Sequence, residues 1–202
     1  MNLITPGHSD RLPFHFNQQS VASLQTLGTF SSSSYNSAPP TLAYLHLETL
    51  RLWRNQSINC SASKYGGPQI ASLQQKQQRH IQPENEVEDP YIVALLIALA
   101  EGQKRQQGMS SEVAKIPKET MAYFKAHLLA LKQGTKTQGQ SLYFYTACIP
   151  AAFLDRFDRP SQYFPCDPIL ISYYRIPLES GMSTIAMIRR VISAVRQQAD
   201  KK

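Results

Sequence analysis

A chain of 202 residues with 42% hydrophobic and 17% charged side chains fits one domain with looser parts, or two very small ones. Its net charge of +7 sits wholly in residues 90–202, which hold fifteen Lys/Arg against eight Asp/Glu, while residues 1–89 balance six against six. No apolar run reaches about 18 residues and the three cysteines form no CxxC, so neither a membrane-spanning helix, nor a disulfide framework, nor a cysteine zinc site is expected.

The first 40 residues alternate weak apolar patterns with breakers and read as a loosely ordered N-terminal segment. Within them SVASLQTLG predicts a short helix, with Ser20 as N-cap, Val21, Leu24 and Leu27 on one face, and Gly28 ending it. The opening MNLITPGHSDRLPFHF has no charged region followed by an apolar one, so the expected setting is intracellular rather than secreted. Residues 41–53, TLAYLHLETLRLW, form the first strong segment. Leu42, Leu45 and Trp53 fit one helical stripe, and Leu45 with Leu47 also fits a strand; a helix docking on the core is preferred because Leu, Glu and Arg favour it. Residues 54–85 read as a flexible polar linker, since YGGP breaks regular structure and QQKQQRHIQPENEVE shows no periodic apolar face.

From Asp89 the character changes. Asp89 suits an N-cap and Pro90 the first helical position, ahead of the apolar run Tyr91–Ala100. This helix is expected to run to Gln107 with Gly108 as a stop, or to end at Gly102. Apolar on every side, it should be surrounded by protein; Glu101 reads as the point where it meets water in preference to the alternative, a site carboxylate. Tyr123–Leu131 and Ser141–Ile149 read as an antiparallel hairpin, the second strand apolar on both faces as in a sheet centre. PAAFLDRFDRP predicts a short helix and Ile169–Ile176 a third strand. GMSTIAMIRRVISAVRQQ predicts a last helix, with Ile185, Ile188, Ile192 and Val195 inward and Arg189, Arg190 and Arg196 outward. The expected fold is α+β over residues 86–198: a small, mainly antiparallel three-stranded sheet covered by helices, in the order α-β-β-α-β-α from Asp89.

The phrases EDPYIVALLIALAEGQ, LYFYTACIPAAFLDRF and ISYYRIPL resemble segments of an uncharacterised protein family of filamentous ascomycete fungi, mainly over residues 86–178. The resemblance implies a fungal intracellular origin. That family carries no established activity, so no functional residue is transferred.

The chemistry offered is sparse. The helix–hairpin–helix–strand order is loosely similar to restriction-endonuclease-like cores, which need carboxylates on the hairpin to hold a metal. No acidic residue lies between Glu119 and Asp155, and nothing places Glu88, Glu101 and Asp167 together. A Cys148–His127 dyad fails on register: with a turn centred near Lys136, His127 faces Tyr145 and Cys148 lies nearer Phe124. Cys148 reads instead as a buried small hydrophobe and His127 as a surface or satisfied strand residue. No HExxH, P-loop or GxGxxG occurs, so no catalytic residue, metal or cofactor is expected.

Basic side chains remain. Lys125, Lys132 and Lys136 surround Tyr143 and Tyr145, and Arg189, Arg190 and Arg196 line the last helix; these are the candidate nucleic-acid or anion contacts. The tyrosines read as core. The expectation is a non-catalytic protein-interaction or accessory module with an unidentified protein partner. The alternative is a basic nucleic-acid-binding domain, a degenerate restriction-endonuclease-like fold without the catalytic carboxylates.

Overall fold

The computed structural model describes residues 5–6, 10–31, 38–59, 68–111, 123–134 and 139–178, with Ala186, Arg189 and Ser193. In chain order these form β1 (Thr5–Pro6), β2 (Arg11–Phe16), β3 (Gln19–Gln25), β4 (Gly28–Ser31), β5 (Leu42–His46), α1 (Leu47–Asn59) and α2 (Pro68–Ile81). A 3-10 turn (Glu86–Glu88) leads into α3 (Pro90–Ser111), followed by β6 (Tyr123–Lys132), β7 (Ser141–Pro150), α4 (Ala151–Asp158) and β8 (Ile171–Pro177).

Six strands make one mixed sheet in the order β1-β4-β5-β6-β7-β8, and β2 and β3 make a separate hairpin. This overturns the expected small three-stranded sheet with a loosely ordered N-terminal region. The N-terminal region supplies strands to both sheets, and β5 pairs parallel with β6, Leu42 opposite His127. Residues 42–46 are thus a strand, not part of a helix; the helix starts only at Leu47. The helix propensity of Leu is a small term beside burial between two strands: Leu42, Ala43 and Leu45 are buried. SVASLQ is likewise a strand, held by pairing Leu24 with Leu12 and Ala22 with Phe14. Its turn, Asn17-Gln18, has positive φ at both residues (51° and 63°), the geometry of a tight two-residue hairpin loop. Residues 68–81 are helical where a linker was expected, with Pro68 at the first helical position.

The stretch from Asp89 forms the centre of the molecule. Asp89 Oδ1 accepts the Tyr91 N–H at 2.8 Å, capping α3, and pairs with the Arg54 guanidinium of α1. The helix passes through both Gly102 and Gly108. On one side it covers the sheet face carrying Leu45, Phe124, Leu128, Tyr145 and Ile149, where Ala43, Ala126, Ala130 and Ala147 leave room for it. The Tyr145 hydroxyl donates to the Val87 carbonyl at 2.7 Å inside this core. Hairpin β2–β3 lies along α3 as well: Leu12 joins the same core, and Phe14 meets Phe157 of α4 edge-on at 5.7 Å.

The opposite sheet face has its own apolar cluster, Leu42, Leu142, Phe144 and Ile176, with His127 stacked on Phe144 at 5.5 Å. Strand β7 therefore has buried side chains on both faces. The β6–β7 register pairs His127 with Thr146 and Lys125 with Cys148, one residue away from the expected alignment. Cys148 is exposed rather than buried. No helix among the described residues is long and apolar enough to cross a membrane.

Candidate interaction surfaces

Two contacts tie the N-terminal hairpin to α3, ten residues apart on that helix. At its start, the Tyr91 hydroxyl accepts the Gln25 N–H at 2.7 Å and donates to the Gln25 carbonyl at 3.2 Å. Farther along, Glu101 Oε2 accepts the His15 N–H at 3.0 Å and lies 3.6 Å from His15 Nδ1. Glu101 does not meet water: only 4% of it is exposed. Burial pushes its carboxyl up to about 7, against the opposing pull of the His15 N–H, Arg105 and Lys104. His15 is held below the usual imidazole range by burial and by the Arg105 charge. Glu101 Oε1 and His15 Nδ1 have no hydrogen-bond partner.

Around this pair runs an ionic clamp between α3 and α4. Lys104 Nζ reaches Asp155 at 2.7 Å and Asp158 at 2.6 Å, and Arg105 reaches Asp158 at 3.5 Å. The Asn17 N–H donates to the Phe157 carbonyl at 2.6 Å and fixes the hairpin tip on α4. The junction joins three elements and holds a proton near neutrality. Its signal in the sequence was a carboxylate placed directly after ten apolar residues; nothing in RLPFHF marked His15 as its neighbour.

The basic candidates are not gathered into one patch. Lys125 and Lys132 are seven positions apart on β6, about 23 Å along the strand, and their odd spacing sends them to opposite faces. Lys132 pairs with Glu86 at 3.2 Å. Tyr143 and Tyr145 are buried in the core beneath α3. Arg189 is helical and exposed, in line with Ala186 and Ser193. Lys136, Arg190 and Arg196 lie outside the described residues, as do Cys60 and the inward positions Ile185, Ile188, Ile192 and Val195. Among the described residues, no three His, Cys, Asp or Glu side chains group as a metal site.

Among the described residues β8 is an edge strand of the sheet, a feature the residue pattern did not announce. Leu178 donates its N–H to Gln140 O, on the β7 side. Alternation along the unbroken β7–β8 register then turns the backbone groups of Ile171, Tyr173 and Arg175 away from β7. Pro177, next in that series, has no N–H to offer. Beside this edge Leu170 and Tyr174 are 79% and 61% exposed, and Tyr163 is more exposed still. Tyr173 packs on Tyr145 at 5.4 Å and donates to Glu88 at 3.3 Å, so the middle of the strand is braced from beneath.

No protein-family model, curated protein or solved structure matches this chain.

Proposed function

We propose that this protein is a non-catalytic accessory module that binds an extended segment of a partner protein along β8. The observation that carries the reading is the row of outward backbone groups at Ile171, Tyr173 and Arg175, flanked by exposed Leu170 and Tyr174. A strand added to such an edge gains main-chain hydrogen bonds, and its alternate side chains meet the aromatic surface. Natural edges that avoid pairing are short, charged or interrupted by proline; β8 has one charge, Arg175, and its proline stands only at the end.

The test is selection of displayed 12-residue peptides on the immobilised full chain, with binding clones re-measured on two variants. Arg175→Ala removes the side chain and keeps the backbone N–H. Arg175→Pro removes the outward N–H while leaving the β7–β8 ladder donors in place. Clones that keep binding Arg175→Ala and lose at least tenfold on Arg175→Pro support edge addition. Clones indifferent to Arg175→Pro, or the absence of any clone, reject it.

A further inference from the structure

Helix α2 carries a second, independent surface. At 3.6 residues per turn, Ile70, Leu73 and Ile81 fall within an arc of about 80°, with Gln77 among them. All three apolar side chains are exposed, Leu73 by 58%. The least exposed positions of the helix are Gln74 and Gln78, beside that arc, so α2 rests on the body of the protein through its glutamine side. On the other flank of the apolar stripe stand His80 and Lys76, with Arg79 farther round on the far side of the helix; all three are exposed. No acidic residue occurs between Glu48 and Glu84. The outward surface of α2 therefore grades from aliphatic to cationic, with no anion in its own segment of chain to neutralise it.

A packed helix normally turns its apolar stripe toward the core. Here the stripe faces outward and is bordered by one sign of charge. We propose that α2 docks an acidic amphipathic helix of a partner protein, with aliphatic side chains on Ile70, Leu73 and Ile81 and a carboxylate against Lys76. Ile70 and Leu73 stand at the i, i+3 spacing of helix-to-helix anchors, Ile81 falls three turns on from Ile70, and α2 offers about 21 Å of length to a partner. Complementary charge fixes orientation and speeds encounter, and the aliphatic stripe supplies the affinity. A membrane surface is the competing occupant; α2 carries no Trp, Phe or Tyr, the residues that seat a helix in the interface.

Full-length protein is challenged with a displayed library of acidic amphipathic 18-residue helices and, separately, with phosphatidylserine and phosphatidylcholine vesicles. The expected result is enriched helices whose affinity falls about tenfold with Leu73→Glu and about threefold with Lys76→Glu, while Gln75→Ala changes it less than twofold. Because these side chains are exposed, the variants keep their fold, which the fluorescence of Trp53 on α1, the chain's single tryptophan, reports. No enrichment, or helices that bind Leu73→Glu as tightly as wild type, overturns the proposal. Phosphatidylserine vesicles that bind with the same sensitivity to the substitutions, where helices do not, overturn it in favour of a lipid surface. Arg175→Pro leaves this binding unchanged, which separates it from the β8 reading.

Discussion

Glu101 Oε2 accepts the backbone N–H of His15 at 3.0 Å, joining the central helix to an N-terminal strand 86 positions away in the chain. A carboxyl raised from 4.5 to about 7 stabilises the fold in its protonated form. Its contribution is complete below pH 4.5 and is lost as pH rises through 7, amounting to about 3 kcal/mol at most for a shift of this size. Glu101→Gln keeps an acceptor for the His15 N–H and never ionises. Urea unfolding at pH 8 should show the variant more stable than wild type by about 2 kcal/mol, with the difference shrinking toward pH 5.

His127 works in the opposite sense. Burial, with a smaller push from Lys125, lowers its imidazole from 6.5 to about 4. Its contribution is present above pH 6.5 and is lost as pH falls through 4, again about 3 kcal/mol at most. Between pH 4.5 and 6.5 the two groups offset one another, so wild type should show a shallower profile there than either single variant. Replacing His127 by Phe, which preserves stacking on Phe144, should expose the falling slope of Glu101; Glu101→Gln should expose the rising slope of His127. Thermal melts of the three proteins across pH 4 to 8 measure this, and parallel profiles would contradict it.

Asp89 performs two tasks with one carboxylate, capping α3 at Tyr91 and pairing with Arg54. Asp89→Asn retains the cap and loses the charge, and is expected to cost about 1–2 kcal/mol. Asp89→Ala loses both and leaves Arg54, whose side chain is largely buried, without its carboxylate, at about 3–4 kcal/mol. The gap between the two variants in urea titration measures the cap.

Two backbone positions predict gains. A Cβ at Gly102 meets nothing within 4 Å, so Gly102→Ala should stabilise α3 by about 1 kcal/mol. Gln18 has a φ of 63°, a left-handed conformation that glycine adopts without strain. Gln18→Gly should stabilise the hairpin by about 1 kcal/mol, read as a higher urea midpoint at unchanged slope.

Tyr145 ties strand β7 to the turn before α3 through its hydroxyl on Val87 O. Tyr145→Phe leaves that carbonyl without its partner in the core and should cost about 1–2 kcal/mol, read as a lower urea midpoint at unchanged slope.

What the residues revealed follows from which interactions are local. Asp89-Pro90 and the apolar run after it marked α3, and YFKAHLLAL, SLYFYTACI and ISYYRI marked β6, β7 and β8, because each segment carries its own start signal or apolar pattern. The β6–β7 register slipped by one because the connecting loop is long and fixes no turn type. Strand β5 was legible only as the less favoured alternative, for a different reason. Its Leu-rich, helix-favouring residues become a strand only when β6 arrives from far along the chain to lie beside them. The Asn17-Gln18 turn lacks the glycine that announces most hairpins of its kind. The polar linker hid α2 because the glutamines rest on the protein and the sparse aliphatics face outward. The burial of Glu101 depends on a hairpin that was not foreseen, so its role could not be inferred either.

The parallel pairing of β5 with β6 also has a kinetic meaning. Leu42 meets His127 across about 85 positions, and no tight turn can bring them together. Residues 86–178 can form the β6–β7–β8 meander and α3 early, from contacts close in the chain, whereas the sheet is completed only when β5 closes that long loop. Until then β6 presents an unpaired edge beside an uncovered apolar face. During synthesis the order is reversed: β5 leaves the ribosome long before its partner exists. The slowest step of folding is therefore expected to be the insertion of a five-residue strand.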